Sequence, residues 1–218
     1  MNNAWLKRRI ELERMMGVDA LIRSPRQPDE LQKIEQQVKR CTLCRLCEGR
    51  TQAVFARGRS DAELMFIGEG PGEEEDRQGL PFVGRAGKLL DKMIPAMGLD
   101  PADVYITNIV KCRPPGNREP RSDEVEACWP YLKRQIELVR PRVICTLGRP
   151  AANALLRNTL AMGELRGRWF LYEGIPLLPT YHSAYLLRSP SQKKAAWEDL
   201  KKIIRVLRGE KPPVTGLF

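Results

Sequence analysis

Glu63-Leu64-Met65-Phe66-Ile67-Gly68-Glu69-Gly70-Pro71-Gly72 passes from an unbroken apolar run into a loop with glycine at every second position. A short apolar run bounded by glycine reads as a strand buried on both faces. Residues 63–68 are therefore expected to form a strand of an α/β sheet, with the loop at its carboxyl end. The loop runs on through Asp76-Arg77-Gln78 to Pro81-Phe82-Val83-Gly84. It lacks both the G-x-G-x-x-G fingerprint and the Gly-Lys-Ser/Thr ending of a phosphate-binding loop. Alone it suits a pocket built from backbone N–H groups or a plain structural turn.

Working outward, Val104–Asn108 reads as a second strand ending in Asn108, and Val143–Leu147 as a third. Trp169–Tyr172 and Ile175–Pro179 flank Glu173-Gly174 as strand-like segments, and the last strand ends in Thr180-Tyr181-His182. A helix over roughly 29–40 delivers Cys41. Another, over 85–97, gathers Leu89, Leu90, Met93, Ile94 and Met97 on one face. Ser122 is the expected N-cap of a third, with Val125, Cys128, Trp129, Leu132, Ile136 and Val139 inward. Gly148 to Leu156 forms a short helix, and 191–208 a final one with Trp197, Leu200, Ile203, Ile204 and Leu207 inward. Alternating strands and helices predict an α/β sandwich with a mostly parallel sheet. Ligands of such sheets bind at the carboxyl ends of the strands, where the glycine loop, Asn108 and His182 all fall. Ser24-Pro25-Arg26-Gln27-Pro28 breaks an amphipathic helix expected over 4–16. Residues 1–27 thus read as a helical appendage, 28–210 as the main domain and 211–218 as a tail.

The formal charge is +10, from 37 Lys+Arg against 27 Asp+Glu. This favours a polyanionic partner such as nucleic acid over plain solubility charge. No apolar run approaches the roughly 18–20 residues of a membrane span, and the first residues do not read as a secretory leader. A cytoplasmic protein with reduced or metal-bound cysteines is expected. Cys41 and Cys44, with the distant Cys112 and Cys128, suggest a metal or iron–sulfur centre before they suggest disulfides. Cys47 extends the first pair to a ferredoxin-like C-x-x-C-x-x-C, and an inward Cys128 suits a ligand or a small core residue.

The stretch Gly68 to Gly87, with Thr107-Asn108-Ile109-Val110-Lys111-Cys112-Arg113-Pro114-Pro115-Gly116-Asn117-Arg118 and Tyr181-His182-Ser183-Ala184-Tyr185-Leu186-Leu187-Arg188, closely resembles the family-4 uracil-DNA glycosylases. These form the iron–sulfur branch of that superfamily, and the likeness runs from about Cys41 to Arg208. It implies a three-layer α/β/α sandwich around a central, mainly parallel four-stranded sheet, and hydrolysis of the N-glycosidic bond of uracil in DNA during base excision repair. It also implies a monomer acting on single- or double-stranded DNA, with abasic-site repair enzymes downstream.

By the same resemblance, His182 donates a hydrogen bond to uracil O2 and Asn108 reads N3–H and O4. Phe82 stacks on the flipped base, while Glu69 and Gly70 line it through backbone N–H groups. An aspartate that orients water in the best-known uracil glycosylases is replaced by Gly70, so Glu69 becomes the candidate for positioning water. Ser183 stands where the family usually has proline. Leu186 aligns with the wedge inserted into the duplex, or is an apolar helix-start residue. Arg113, Arg118, Arg121 and Arg188 are candidate phosphate contacts. The family's [4Fe–4S] ligands fall on Cys41, Cys44, Cys112 and Cys128, leaving Cys47 and Cys145 free, with zinc as the alternative occupant. Two other readings are a relative that traps DNA covalently through its histidine, and a non-catalytic iron–sulfur DNA-binding module.

Overall fold

The computed structural model of the chain describes residues 27–216. The helix expected over 4–16 lies outside those residues. Helix α1 (Gln27–Lys39) leads past Cys41 and Cys44 to the short α2 (Leu46–Gly49) and to β1 (Arg57–Gly58). The apolar run forms β2 (Leu64–Gly68), buried throughout. After the glycine loop come α3 (Glu73–Gln78), α4 (Arg85–Ala96), β3 (Tyr105–Asn108), α5 (Ser122–Val139) and β4 (Val143–Leu147). Then follow α6 (Arg149–Leu156), α7 (Met162–Leu165), β5 (Trp169–Tyr172), β6 (Ile175–Thr180), α8 (Ser183–Arg188), α9 (Lys193–Leu207) and β7 (Val214–Gly216).

The strands form one sheet in the order β1-β3-β2-β4-β6-β5-β7. Its centre, β3-β2-β4-β6, is parallel throughout. The expected four parallel strands are thus present, but the sheet has seven strands and is mixed. The extra three lie at the edges. β1 is two residues long, too short for a periodic signal. β5 folds back antiparallel on β6 through Glu173 and Gly174, whose φ values of 46° and 82° are those of a tight hairpin turn matched to strand twist. Three residues of the tail pair with β5 as β7.

Side-chain alternation along the central strands makes the three layers. Met65, Ile67, Tyr105, Ile144 and Leu177 point to one face and pack with α1, α5 and α6. Leu64, Phe66, Ile106, Cys145 and Leu178 point to the other and pack with α4 and α9. With both faces covered, the central strands are largely apolar on both sides, which is why β2 reads as an unbroken run.

Two local details differ from expectation. Arg121, not Ser122, occupies the N-cap of α5, because the Glu124 carboxylate accepts its backbone N–H at 2.8 Å. The buried face of α9 is Ala196, Asp199, Leu200, Ile203 and Val206, while Trp197, Ile204 and Leu207 are only half-buried. The helix is turned so that Asp199 meets Arg166 and the Thr180 hydroxyl. No helix among the described residues is long and apolar enough to cross a membrane.

Candidate active site

β3, β2 and β6 run parallel and end on the same side of the sheet, with β4 between β2 and β6, and a pocket of about 400 Å³ opens at their carboxyl ends. Its walls include Glu69, Gly70, Phe82, Asn108, His182 and Arg188. The glycine loop is held by a residue that the acidic run Glu73–Asp76 conceals in the sequence. Glu75, in α3, accepts the backbone N–H of Gly72 at 3.1 Å through one carboxylate oxygen. Through the other it accepts those of Val83 and Gly84 at 2.9 and 2.8 Å. One carboxylate therefore joins the loop after β2 to the segment carrying Phe82. Its neighbour Asp76 is buried and receives the Thr51 N–H at 3.0 Å.

Phe82 sits at φ 55°, a left-handed conformation that a bulky residue adopts only when its surroundings demand it. Two glycines make room for it. A Cβ on Gly87 would lie 1.8 Å from the Phe82 carbonyl oxygen. One on Gly68 would lie 2.4 Å from Asn108 Oδ1 and 2.5 Å from the Phe82 ring. These glycines are explained by close approach.

Asn108 ends β3 and is 2% exposed. Its side-chain oxygen is buried with no hydrogen-bond partner among the described residues. An unpaired buried acceptor costs about 1–3 kcal/mol, so a ligand that donates to it recovers that cost. Across the pocket, the His182 ring stacks on Phe82, with centroids 5.6 Å apart and 28° between planes. The N–H of Ala184 donates to His182 Nδ1 at 3.1 Å, and burial, helped by Arg188, pushes the imidazole down to about pKa 4. At neutral pH the ring is uncharged, and with Nδ1 accepting, its proton is on Nε2. His182 is thus a neutral N–H donor.

Ser183 follows as the first residue of α8 and is buried, its hydroxyl without a partner among the described residues. Proline fits a first helical position, and His182, at φ −66° and ψ 139°, already has the backbone that precedes proline. Ser183→Pro is expected to raise stability by about 0.5–1 kcal/mol, measured as a rise in Tm. A fall in Tm would show that the serine N–H or hydroxyl is needed.

Glu69 is half-buried, with no ion pair among the described residues. Burial raises its pKa to about 7, with Glu119 adding and Arg149 opposing. Of the candidate phosphate contacts, Arg188 is exposed and lines the pocket, and Arg121 is exposed at the start of α5. Arg118 is held by a two-pronged pair with buried Glu124 at 2.6 and 2.8 Å. Arg113 reaches Asn117 at 2.8 Å and Glu73 at 3.4 Å. Leu186 is 1% exposed whereas Leu187 is 36% exposed. The leucine expected to enter a duplex is therefore locked in the core, since α8 turns its side chain inward, and the available apolar group is its neighbour.

Cys41, Cys44, Cys47, Cys112 and Cys128 line one small pocket with Arg50, Lys111 and Tyr131. None is in a disulfide. Among the described residues no three donors are arranged to hold a single metal ion. Burial pushes the thiols of Cys44 and Cys112 up, and that of Cys128 to about 11. Arg50 donates to Cys112 Sγ at 3.0 Å, and Lys111 partly offsets the rise at Cys128. Thiols so buried become thiolates when bound cations replace their protons. Cysteines that share one pocket suit a metal or iron–sulfur centre. Cys47 stands with the other four, which sequence spacing allowed; Cys145 is buried in β4, on the opposite face of the sheet.

Residues 55–201 match the model of the uracil DNA glycosylase superfamily. A type-4 uracil-DNA glycosylase of Sulfurisphaera tokodaii is 46% identical over 80% of the chain and 84% of its own length. One of Saccharolobus solfataricus is 45% identical over 86% of the chain and 90% of its own length. A third, of Thermotoga maritima, is 41% identical over 84% and 97%.

Proposed function

The chain belongs to the uracil-DNA glycosylase superfamily and, within it, to the type-4 enzymes, and from this premise we propose how its own residues excise uracil from DNA. The observation that carries the reading is the unpaired Asn108 oxygen in a pocket also lined by a neutral histidine donor and the aromatic ring stacked on it. Uracil stacks on Phe82, gives its N3–H to Asn108 Oδ1 and receives the His182 Nε2–H at O2. Cytosine has no hydrogen on N3 and would set an acceptor against an acceptor. As the glycosidic bond breaks, negative charge grows on the uracil, and a donor aimed at that charge stabilises the transition state more than the bound substrate. A neutral donor serves this without protonating the base outright. Glu69 orients the water that attacks the sugar, and Gly70 admits the base without a side chain in its path. Arg188 and Arg121 take phosphates, Arg113 and Arg118 brace the neighbouring loop, and exposed Leu187 fills the space left by the flipped nucleotide.

The cysteine pocket fits a [4Fe–4S] cluster held by Cys41, Cys44, Cys112 and Cys128. When bound, such a cluster would supply a cross-link between α1, the segment after β3 and α5. Hydrolysis requires no electron transfer, so its contribution is to the frame. The enzyme acts as a monomer, handing the abasic site to separate repair enzymes.

Incubation with an oligonucleotide duplex carrying uracil opposite guanine, followed by alkali, is expected to break the strand at uracil. A heat-stable protein–DNA adduct would instead indicate covalent trapping by His182. Binding without any alkali-labile site would indicate a non-catalytic protein.

The role given to Glu69 carries a pH signature. Its carboxyl is protonated below about pH 7 and ionised above, and only the ionised form can polarise water. The single-turnover rate should rise with pH through about 7 and then level. Glu69→Gln should lower the plateau about 10²-fold and remove that rise. A rise persisting in the variant would assign the water to another group.

A further inference from the structure

We infer that Lys111 is a positioning residue for base recognition, joining the cysteine pocket to Asn108. The inference rests on Asn108 as the base reader. Lys111 is the one lysine among the buried described residues, at 1% exposure. Burying an amine is costly unless its donors are used, and a methionine would fill the same space. Its donors are used in one direction: Nζ bonds the backbone oxygen of Asn108 at 2.7 Å and Thr107 Oγ1 at 2.6 Å. The Thr107 hydroxyl is itself anchored on the Phe55 carbonyl at 2.8 Å. The other end of the same residue belongs to the cysteine pocket. Lys111 lines that pocket together with Cys112 and Cys128, and the next residue is Cys112.

The side chain therefore closes a ring from residue 111 back to residue 108, with one edge at the cysteine pocket and the other on the peptide that carries the uracil-reading amide. Within the ring, Ile109 and Val110 donate to the carbonyls of Gly68 and Glu69 at 3.0 and 3.3 Å. The segment from Asn108 to Cys112 is thus tied to the glycine loop as well. A displacement of the sulfurs is passed to the Asn108 carboxamide, and a direct hydrogen bond loses strength steeply with misalignment. The cysteine centre then governs base selection although it touches no base.

The test compares affinity for a duplex whose deoxyuridine carries a 2′-fluorine and resists cleavage with affinity for the same duplex lacking uracil. The ratio reads the base pocket alone. Lys111→Met is expected to lower it about tenfold, while the visible absorbance of the iron–sulfur centre and affinity for plain duplex stay at wild-type values. Thr107→Val, which removes one partner of Nζ, is expected to lower it about threefold, and decides the matter alone if Lys111→Met does not fold. A wild-type ratio in these variants, with a reduced ratio in Asn108→Ala, overturns the role of Lys111. An unchanged ratio in Asn108→Ala overturns the reading of Asn108 itself.

Discussion

Replacing His182 with alanine is expected to slow uracil excision about 10³-fold, the cost of removing a donor aimed at developing anionic charge, with little change in affinity for duplex DNA. Alanine also removes the N-cap acceptor of α8, so a second variant is needed. Asparagine caps helices well yet is too short to place a donor where Nε2 lies. His182→Asn should keep the turn and Tm while losing nearly the whole rate. The ring is neutral because its pKa is lowered to about 4, so its charge should appear in the pH profile only as the pH falls toward that value. In a Glu69→Gln background the rate from pH 6 to 9 should therefore be flat. Counting alkali-labile sites under single-turnover conditions measures both. A His182→Asn rate within tenfold of wild type would remove this residue from the chemistry.

Asn108→Ala is expected to reduce the preference for uracil over cytosine by about 10²–10³-fold. A site built to pair polar groups rejects a mismatched base by roughly 10⁴ or more, whereas apolar fit alone distinguishes about 10–200-fold. The fold should tolerate the change well, because the side-chain oxygen is unpaired in the free protein and its loss removes a buried unsatisfied acceptor. Unchanged or higher Tm, with selectivity reduced on oligonucleotides bearing uracil or cytosine opposite guanine, is the signature. Selectivity at the wild-type level would mean that backbone N–H groups of the glycine loop read the base.

Leu186 and Leu187 show where sequence reading ends. The family resemblance places one leucine at the wedge position, but a single helical step decides which of two adjacent leucines faces water, and that depends on how α8 seats against α4 and the sheet. Glu75 was hidden for another reason. In a run of four acids nothing local marks the one whose carboxylate meets Val83 and Gly84, eight and nine residues away. Lys111 is hidden too, since a lysine between Val110 and Cys112 reads as a surface charge until the fold buries it. Asp199 likewise looks like an outward residue of α9 until Arg166 and Thr180 are brought to it.

What the sequence by itself determined is whatever rests on local periodicity and on the identities of individual residues. That covers the buried central strands, the helices between them, the loop after Gly68 and the paired cysteines, while the family resemblance points to Asn108, Phe82 and His182. Only the tertiary structure decided which sulfurs share a pocket, which donor on His182 is free, which leucine is exposed and how Lys111 bridges the two centres. These depend on groups far apart in the chain whose burial and hydrogen bonding exist only once the sheet is assembled. The apolar run from Leu64 to Gly68 announces a strand in any fold. Whether the glycines after it frame a pocket depends on Phe82 and Asn108 arriving beside them.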